Sequence, residues 1–168
     1  FDYFATGDSP GDDDEGEPAG WVDDLVVAHG ELLRRSLATR VVWMGARLGA
    51  TLAAMASTVA PRAPDRLVLW EPIVDGPAYL QELAERHVET LKASFNAPAP
   101  WWSSMFDRSA EEIDREGVGF ELGASLRSQL AAMKQDVIPT PRAGRSDLIE
   151  RGERPHIATL AMRWRGAG

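Results

Sequence analysis

The fold of this chain is decided by nine residues, Val41-Val42-Trp43-Met44-Gly45-Ala46-Arg47-Leu48-Gly49. The first four are apolar without polar alternation, which predicts a buried strand over 41–44. Apolar residues then recur at helical spacing, at Leu48, Leu52, Met55 and Val59. Pro61 ends that helix, because proline cannot continue it. The sequence therefore predicts a strand that turns directly into a helix, with Arg47 at the turn between two glycines.

The flanking segments predict the sheet to which this strand belongs. Apolar residues at spacings of three and four make residues 19–36 an amphipathic helix. A second strand without polar alternation covers Leu67 to Trp70. Two such strands joined by a helix imply a right-handed βαβ crossover in a parallel sheet covered on both faces. The predicted fold class is therefore α/β, a three-layer α/β/α arrangement with a mainly parallel sheet.

The second half of the chain predicts mostly helices. The pattern indicates a helix over 79–91, a break at 96–100 before Trp101 and Trp102, a short helix starting at Ser109, a helix over 122–133, a weak strand over 147–150 and a last helix over 157–164.

Three segments resemble one enzyme family. In a G-x-S-x-G nucleophile elbow, a strand turns sharply into a helix and presents a serine at the carboxyl end of the sheet. Gly45-Ala46-Arg47-Leu48-Gly49 has this form, with arginine in the centre. The segment Phe1-Asp2-Tyr3-Phe4-Ala5-Thr6-Gly7-Asp8-Ser9 resembles the one after the fourth strand of α/β-hydrolases, and residues 67–80 resemble their sixth strand and the entry to the cap. The chain is most similar to the exosortase-system-associated hydrolases of bacteria, in the serine-aminopeptidase-like branch.

The resemblance implies a truncated α/β-hydrolase fold in a single partial domain, residues 1–168, with a helical cap insert at about 76–120. It implies hydrolysis of an ester or amide bond, or transfer of an acyl group. Because the chain opens on Phe1 within a fourth-strand motif, we expect three family strands and one oxyanion donor to precede it. An uncovered sheet edge invites association, so self-association is predicted.

The centre of the elbow argues against serine catalysis. A guanidinium stays protonated and has no lone pair to donate, so Arg47 cannot act as a nucleophile, although the backbone N–H of Leu48 keeps the family's oxyanion position. No histidine takes the family's place after an eighth strand. His156 falls too early and is predicted to be surface-exposed or half-buried, His87 is predicted to be packed in a helix, and His29 is predicted to be exposed. Ser9 and Ser57 are predicted to have structural roles in a turn and a helix.

Arg47 has two interpretations. It can bind a carboxylate or phosphate, because the N–H groups and the dipole of a helix N-terminus also favour negative charge there. Alternatively, Arg47 pairs with Glu71 or Asp75, which follow the neighbouring strand. We favour this ion pair because a partly buried arginine needs a partner. Trp70, Trp101 and Trp102 are candidates for the pocket lining. The predicted substrate-binding residues are Arg47, Trp70, Glu71 and Asp75.

Composition and charge bear on metal binding, nucleic acid binding and membrane insertion. The net charge of −8 is local, because residues 1–24 contain nine of the 26 acidic residues and none of the 18 lysines and arginines. The cluster Asp12-Asp13-Asp14-Glu15 lacks the glycine and glutamate offsets of a calcium loop, so it predicts a solvated loop, and no metal or cofactor is predicted. Scattered basic residues argue against nucleic acid binding. The longest apolar run, 48–56, is too short for a membrane span, and the absence of cysteine fits the predicted cytoplasmic location.

The sequence leaves three function classes open. The first is an ester or amide hydrolase or acyl transferase by resemblance, without its serine. The second is a non-catalytic module that binds a small anionic or acyl ligand through Arg47, or serves a cell-surface polysaccharide or protein-sorting system. The third is a purely structural partner.

Overall fold

A computed structural model of the chain describes residues 1–94, 116–152 and 155–166. In chain order its elements are α1 (Pro18–Arg35), β1 (Val42–Ala46), α2 (Leu48–Val59), β2 (Arg66–Trp70), α3 (Gly76–Ser94), β3 (Glu116–Gly117), β4 (Phe120–Glu121), α4 (Ala124–Ala132), β5 (Arg145–Ile149) and α5 (Pro155–Gly166), with a 3-10 turn at Asp13–Glu15. The periodicity predictions for these helices and for the three longer strands are confirmed. The helix predicted from Ser109 and the two tryptophans at 101 and 102 lie outside the described residues.

The three longer strands form a parallel sheet in the order β1, β2, β5. Its register pairs Ala46 with Trp70 and Trp70 with Ile149, so the three strands end at the same level. The βαβ prediction for β1, α2 and β2 is confirmed in its parallel pairing. The residues that follow each strand are therefore brought to one edge of the sheet.

Helix α2 lies at the centre of the core. Its small residues Ala50, Ala53 and Ala54 pack against Leu67 and Leu69 of β2, in a cluster that also takes in two residues of α5, Ile157 and Leu160. Its other side packs with α1 and α4, through the buried residues Leu52, Ala56, Trp21, Val22, Leu126, Leu130 and Met133. Each fully buried leucine stabilises the fold by about 1.5–3 kcal/mol relative to an exposed one. The position of α2, and with it the turn that precedes it, is therefore fixed from two sides.

The opposite face of the sheet is uncovered in the described part of the chain. Val42 and Met44 of β1 are 60% and 63% exposed, and Trp70 and Ile149 are 39% and 43% exposed. These residues alternate with the buried ones, as side chains of a strand do. The expectation of helices on both faces is thus not met within residues 1–94, 116–152 and 155–166, where helices cover one face only. The coarser assignment, a mixed α/β fold with a parallel sheet, holds.

None of the helices in the described ranges has the length and apolarity that a membrane crossing requires.

Candidate functional site

The turn between β1 and α2 has the strained form that the sequence predicts. Arg47 takes φ 54° and ψ −126°, and its N–H donates to the Trp70 carbonyl over 2.9 Å. Helix α2 begins at the next residue, Leu48. A Cβ on Gly45 would lie 2.5 Å from the Gly49 carbonyl oxygen, so only glycine fits there. The strand thus runs directly into the helix and leaves the Arg47 side chain at the carboxyl edge of the sheet.

The neighbouring strand ends in the same way. Glu71 follows β2 with φ 47°, and its N–H donates to the Ile149 carbonyl over 2.8 Å. Since Ala46 and Trp70 are paired, Arg47 and Glu71 stand at equivalent positions on adjacent strands. Backbone strain of this kind costs on the order of 1–3 kcal/mol per residue and is concentrated at functional sites. Two strained residues on neighbouring strands therefore make this edge of the sheet the candidate functional site.

Arg47 forms an ion pair, but the partner is not a residue predicted from the sequence. Its Nη2 donates to Oε2 of Glu82, in the second turn of α3. The other oxygen of Glu82 lies 2.8 Å from Nη2 of Arg86, so two guanidiniums share one carboxylate. The predicted pairing with Glu71 or Asp75 is wrong for the described residues. Asp75 instead accepts the Ala78 N–H over 3.0 Å and caps α3.

Tyr79 lies under the same arginine. The guanidinium carbon of Arg47 is 5.8 Å from the centre of the Tyr79 ring, within the range of a cation–π contact. Burial raises the pKa of the Tyr79 hydroxyl, because the phenolate would lose hydration, and the nearby charge of Arg47 offsets part of that rise. Tyr79 thus stays neutral and holds the guanidinium over its ring.

The side chains at this edge line a cavity of 370 Å³, formed by Ala46, Arg47, Trp70, Glu71, Glu82, Arg86 and Arg151. We call it the edge cavity. Three of the four predicted binding residues, Arg47, Trp70 and Glu71, line it, whereas Asp75 does not. Sequence reasoning missed Glu82, Arg86 and Arg151. The lining contains three arginines and two glutamates, so it carries one excess positive charge.

Glu71 is the least satisfied group in the edge cavity. Its side chain is 10% exposed, and its Oε1 is buried with no hydrogen-bond partner among the described residues. The cation beside it is Arg151, whose Nε lies 3.7 Å from Oε1, beyond hydrogen-bonding distance, on a side chain that is 80% exposed. A buried carboxylate oxygen without a donor is costly, so Oε1 destabilises the fold as long as no group donates to it.

Leu48 is the first residue of α2, and the first N–H groups of a helix have no partner within it. Leu48 and Tyr79 flank Arg47 and line a second cavity of 350 Å³, together with apolar residues that include Trp21, Leu83 and Leu126. Ala46 and Arg47 thus line a small polar cavity, and the next residue, Leu48, lines an apolar one.

The two candidate serines have the structural roles predicted for them. Ser9 Oγ donates to the Asp2 carbonyl over 2.7 Å. Ser57 Oγ donates back to the Ala54 carbonyl of its own helix over 2.7 Å and accepts the Arg142 N–H over 3.0 Å. Both hydroxyls are thus held in contacts with the backbone.

His29 corrects a prediction, because it is 5% exposed rather than solvent-facing. The indole N–H of Trp43 donates to its Nδ1 over 3.1 Å, and Nε2 lies 3.0 Å from the Arg62 carbonyl. Tryptophan can only donate, so Nδ1 is the acceptor and Nε2 carries the proton. The ring therefore joins α1 to β1 and to the segment after α2. No local sequence pattern predicts this contact, because Trp43 and Arg62 are 14 and 33 residues away from His29.

The remaining histidines also lie outside the elbow. His87 is buried, as predicted, and its Nδ1 accepts the Val118 N–H over 3.1 Å, which ties α3 to the turn of the β3–β4 hairpin. His156 lies at the start of α5, and the prediction for its side chain falls outside what the structure describes. Within the described ranges, no group of three His, Asp or Glu residues is arranged to hold a metal ion.

A comparison of the sequence with models of known protein families gave no match, and a comparison with curated proteins gave none.

Proposed function

We propose that this chain is an α/β-hydrolase-fold domain that does not hydrolyse through a serine and instead binds a small anionic ligand at Arg47. The observation that carries the proposal is the conformation of Arg47, which is held at φ 54° between β1 and α2 with its side chain in the edge cavity. An arginine has no intrinsic preference for that conformation. The surrounding structure imposes it, and the result is a cation presented at the carboxyl edge of a parallel sheet, where ligands of α/β proteins bind.

Two features support the hydrolase part of the proposal. The strand, sharp turn and helix around Arg47 have the arrangement of a nucleophile elbow. In the N-terminal segment, Ala5 has φ 58° and Gly7 has φ 55°, so the position at which the family commonly has its first glycine is also left-handed here. In this proposal α3 is part of the cap, and it contributes Glu82 and Arg86 to the edge cavity.

The chemistry of the described residues argues for binding over hydrolysis. Arg47 cannot attack a carbonyl carbon, and the hydroxyls of Ser9 and Ser57 are held by backbone groups away from the elbow. His29 and His87 use their ring nitrogens in contacts between elements. None of these groups forms the hydrogen-bonded serine and histidine pair that acyl transfer needs.

The charge balance argues for an anion as the ligand. Arg47 and Arg86 share the single carboxylate of Glu82, which leaves guanidinium N–H donors and one positive charge without a partner in that group of three. The start of α2 adds the partial positive charge of a helix N-terminus, because Arg47 is at the N-cap position and makes no side-chain cap. A carboxylate or phosphate would accept hydrogen bonds from the guanidinium donors and would be attracted by the positive end of the helix.

The test of the proposal is ligand-dependent stability. At constant ionic strength, acetate, succinate or phosphate should stabilise the 168-residue chain, by about 2.7 kcal/mol at a hundredfold excess over its dissociation constant. Arg47→Ala should abolish the gain. Arg35→Ala, which removes an exposed ion pair at the end of α1, is the matched control and should keep it. A gain that persists in Arg47→Ala would reject Arg47 as the anion site.

A separate assay tests the loss of hydrolysis. The chain should not hydrolyse short-chain nitrophenyl esters, and a fluorophosphonate probe should label no serine. Arg47→Ser should restore little activity, because a serine without its base lacks most of the machinery. Labelling of any serine in the wild-type chain would contradict the proposal.

A further inference from the structure

We infer that the ligand of the edge cavity carries an ammonium group in addition to its anionic group, and that Glu71 binds the ammonium. The ligand class is thus a small amino acid, in the broad sense of a compound with one amine and one carboxylate. The inference rests on the proposed anion site at Arg47 and names the chemistry of the other end of the ligand.

The Glu71 carboxylate is buried and has one oxygen without a donor among the described residues. Its side chain is nine-tenths buried, it lines the edge cavity, and its Oε1 has no hydrogen-bond donor in the described part of the chain. Buried polar groups in folded proteins are nearly always hydrogen-bonded, so an exception needs an explanation. We attribute it to a missing ligand donor, because Glu71 lines the cavity in which the ligand would bind.

The donor that suits Glu71 best is a cation. A buried carboxylate is compensated best by a charged donor, because hydrogen bonds between ionised groups are about twice as strong as neutral ones. Arg151 gives only partial compensation, at 3.7 Å and from an exposed side chain. An ammonium supplies a full charge and three N–H donors. An anion alone would meet repulsion from Glu71.

The two charged residues follow neighbouring strands at the same level. Arg47 and Glu71 follow the paired residues Ala46 and Trp70 on neighbouring strands, which lie about 4.8 Å apart in a sheet. Both have positive φ values, 54° and 47°, and both line one cavity. Ala46 and Trp70 supply the apolar part of the lining between them. The edge cavity is therefore lined by a cationic and an anionic residue whose backbones lie one strand apart, which suits a short ligand with a charge at each end.

The experiment compares ligands that differ by one group. Binding of butyrate, butylamine and 4-aminobutyrate to the 168-residue chain would be measured by calorimetry at neutral pH and constant ionic strength. We expect 4-aminobutyrate to bind at least tenfold more tightly than either butyrate or butylamine. Glycine and 6-aminohexanoate extend the comparison to shorter and longer spacings, and one chain length should be preferred.

Variants assign the two ends. Glu71→Gln keeps the shape of the side chain and removes its charge, so it should reduce the affinity for 4-aminobutyrate to that for butyrate and leave butyrate binding no weaker. It should also raise the melting temperature without ligand, because a neutral amide is less costly to bury. Glu85→Gln, on the exposed side of α3, is the matched control. It should change neither the affinity for 4-aminobutyrate nor the melting temperature.

The outcomes separate this inference from the proposal on which it rests. If butyrate binds as tightly as 4-aminobutyrate, and Arg47→Ala abolishes both, the anion site stands and the ammonium site is rejected. If butylamine alone binds, the anion site is rejected. If none of the compounds binds, both are rejected. Because the comparison of ligands uses the wild-type chain, failure of a variant to fold would not decide the result.

Discussion

Arg47 holds a backbone conformation that glycine would adopt more readily. Its φ of 54° brings Cβ close to the backbone in a way that L-residues avoid. The ion pair with Glu82 does little to offset this strain, because both side chains are about one-third exposed, at 27% and 33%, and such pairs contribute about 0–1 kcal/mol. Stability alone therefore does not account for arginine at this residue.

The first prediction compares two substitutions at this residue. Arg47→Gly and Arg47→Ala both remove the ion pair, but only glycine relieves the strain, so Arg47→Gly should be more stable by about 1–2 kcal/mol. Urea denaturation measures the difference. At Glu85, within α3, the order should reverse, with alanine better by about 1 kcal/mol. Equal stabilities at residue 47 would show that the turn relaxes.

The sequence predicts the position of Arg47 better than its ion-pair partner. That a guanidinium cannot attack follows from its chemistry, and the turn follows from the glycines and the apolar runs around it. Glu82 is 35 residues away and approaches only because α3 passes over the sheet edge, which no local pattern shows. The prediction that His29 is exposed fails for the same reason, because its hydrogen-bond partners come from other elements.

The β1–α2 turn depends unequally on its two glycines. At Gly45, a Cβ would approach the Gly49 carbonyl oxygen to 2.5 Å and the Ala50 Cα to 2.7 Å, both of them backbone atoms of the helix. At Gly49, nothing lies within 4 Å of an added Cβ. Packing therefore requires glycine at residue 45 but not at residue 49.

The second prediction follows from this asymmetry. Gly45→Ala should destabilise the chain by on the order of 2–4 kcal/mol, because α2 must move away from the sheet. Gly49→Ala should be neutral or stabilising by up to about 1 kcal/mol, because alanine is favoured in a helix. Thermal denaturation of the pair is the measurement, and the second variant controls for loss of glycine. A stable Gly45→Ala would contradict the close packing of β1 and α2.

Periodicity was sufficient for the long elements and not for the short ones. The apolar stripes of α1, α2 and α4 and the unbroken apolar residues of β1 and β2 give each element a recognisable repeat. Strands β3 and β4 have two residues each, too few to show alternation. Their turn contains Val118 at φ 53°, where a β-branched residue gives no turn signal.

At the scale of the whole molecule, the sheet is asymmetric within the described residues. One face packs on α2 and α5, whereas the other exposes Val42, Met44, Trp70 and Ile149. Parallel sheets are normally buried on both faces. Strand β1 is also at the edge of the described sheet, with a row of backbone groups facing outward. From the sequence we expected a second helical layer because continuous apolar strands usually have one.

The third prediction is that the isolated chain associates with a second copy through β1 and its exposed face. Sedimentation velocity should show a mass that rises with concentration. Met44→Lys should shift the chain toward the monomer, because an edge lysine opposes strand pairing. Val27→Lys is the matched control, since Val27 is 70% exposed on α1 and should leave association unchanged. A chain that stays monomeric at every concentration would contradict the prediction.

The contact between Arg47 and Glu82 means that α3 supplies a carboxylate of its own at the place where an anionic ligand would bind. In the proposed anion site, a ligand carboxylate would share Arg47 with the carboxylate that the chain itself holds there, and it would compete with Glu82 for any N–H donor that both can reach. A ligand that also engages a second residue of the cavity would compete better than one that offers only a carboxylate. Binding of such a ligand would then weaken the contact between α3 and the turn before α2, so occupancy of the proposed site and the strength of this contact would be thermodynamically linked.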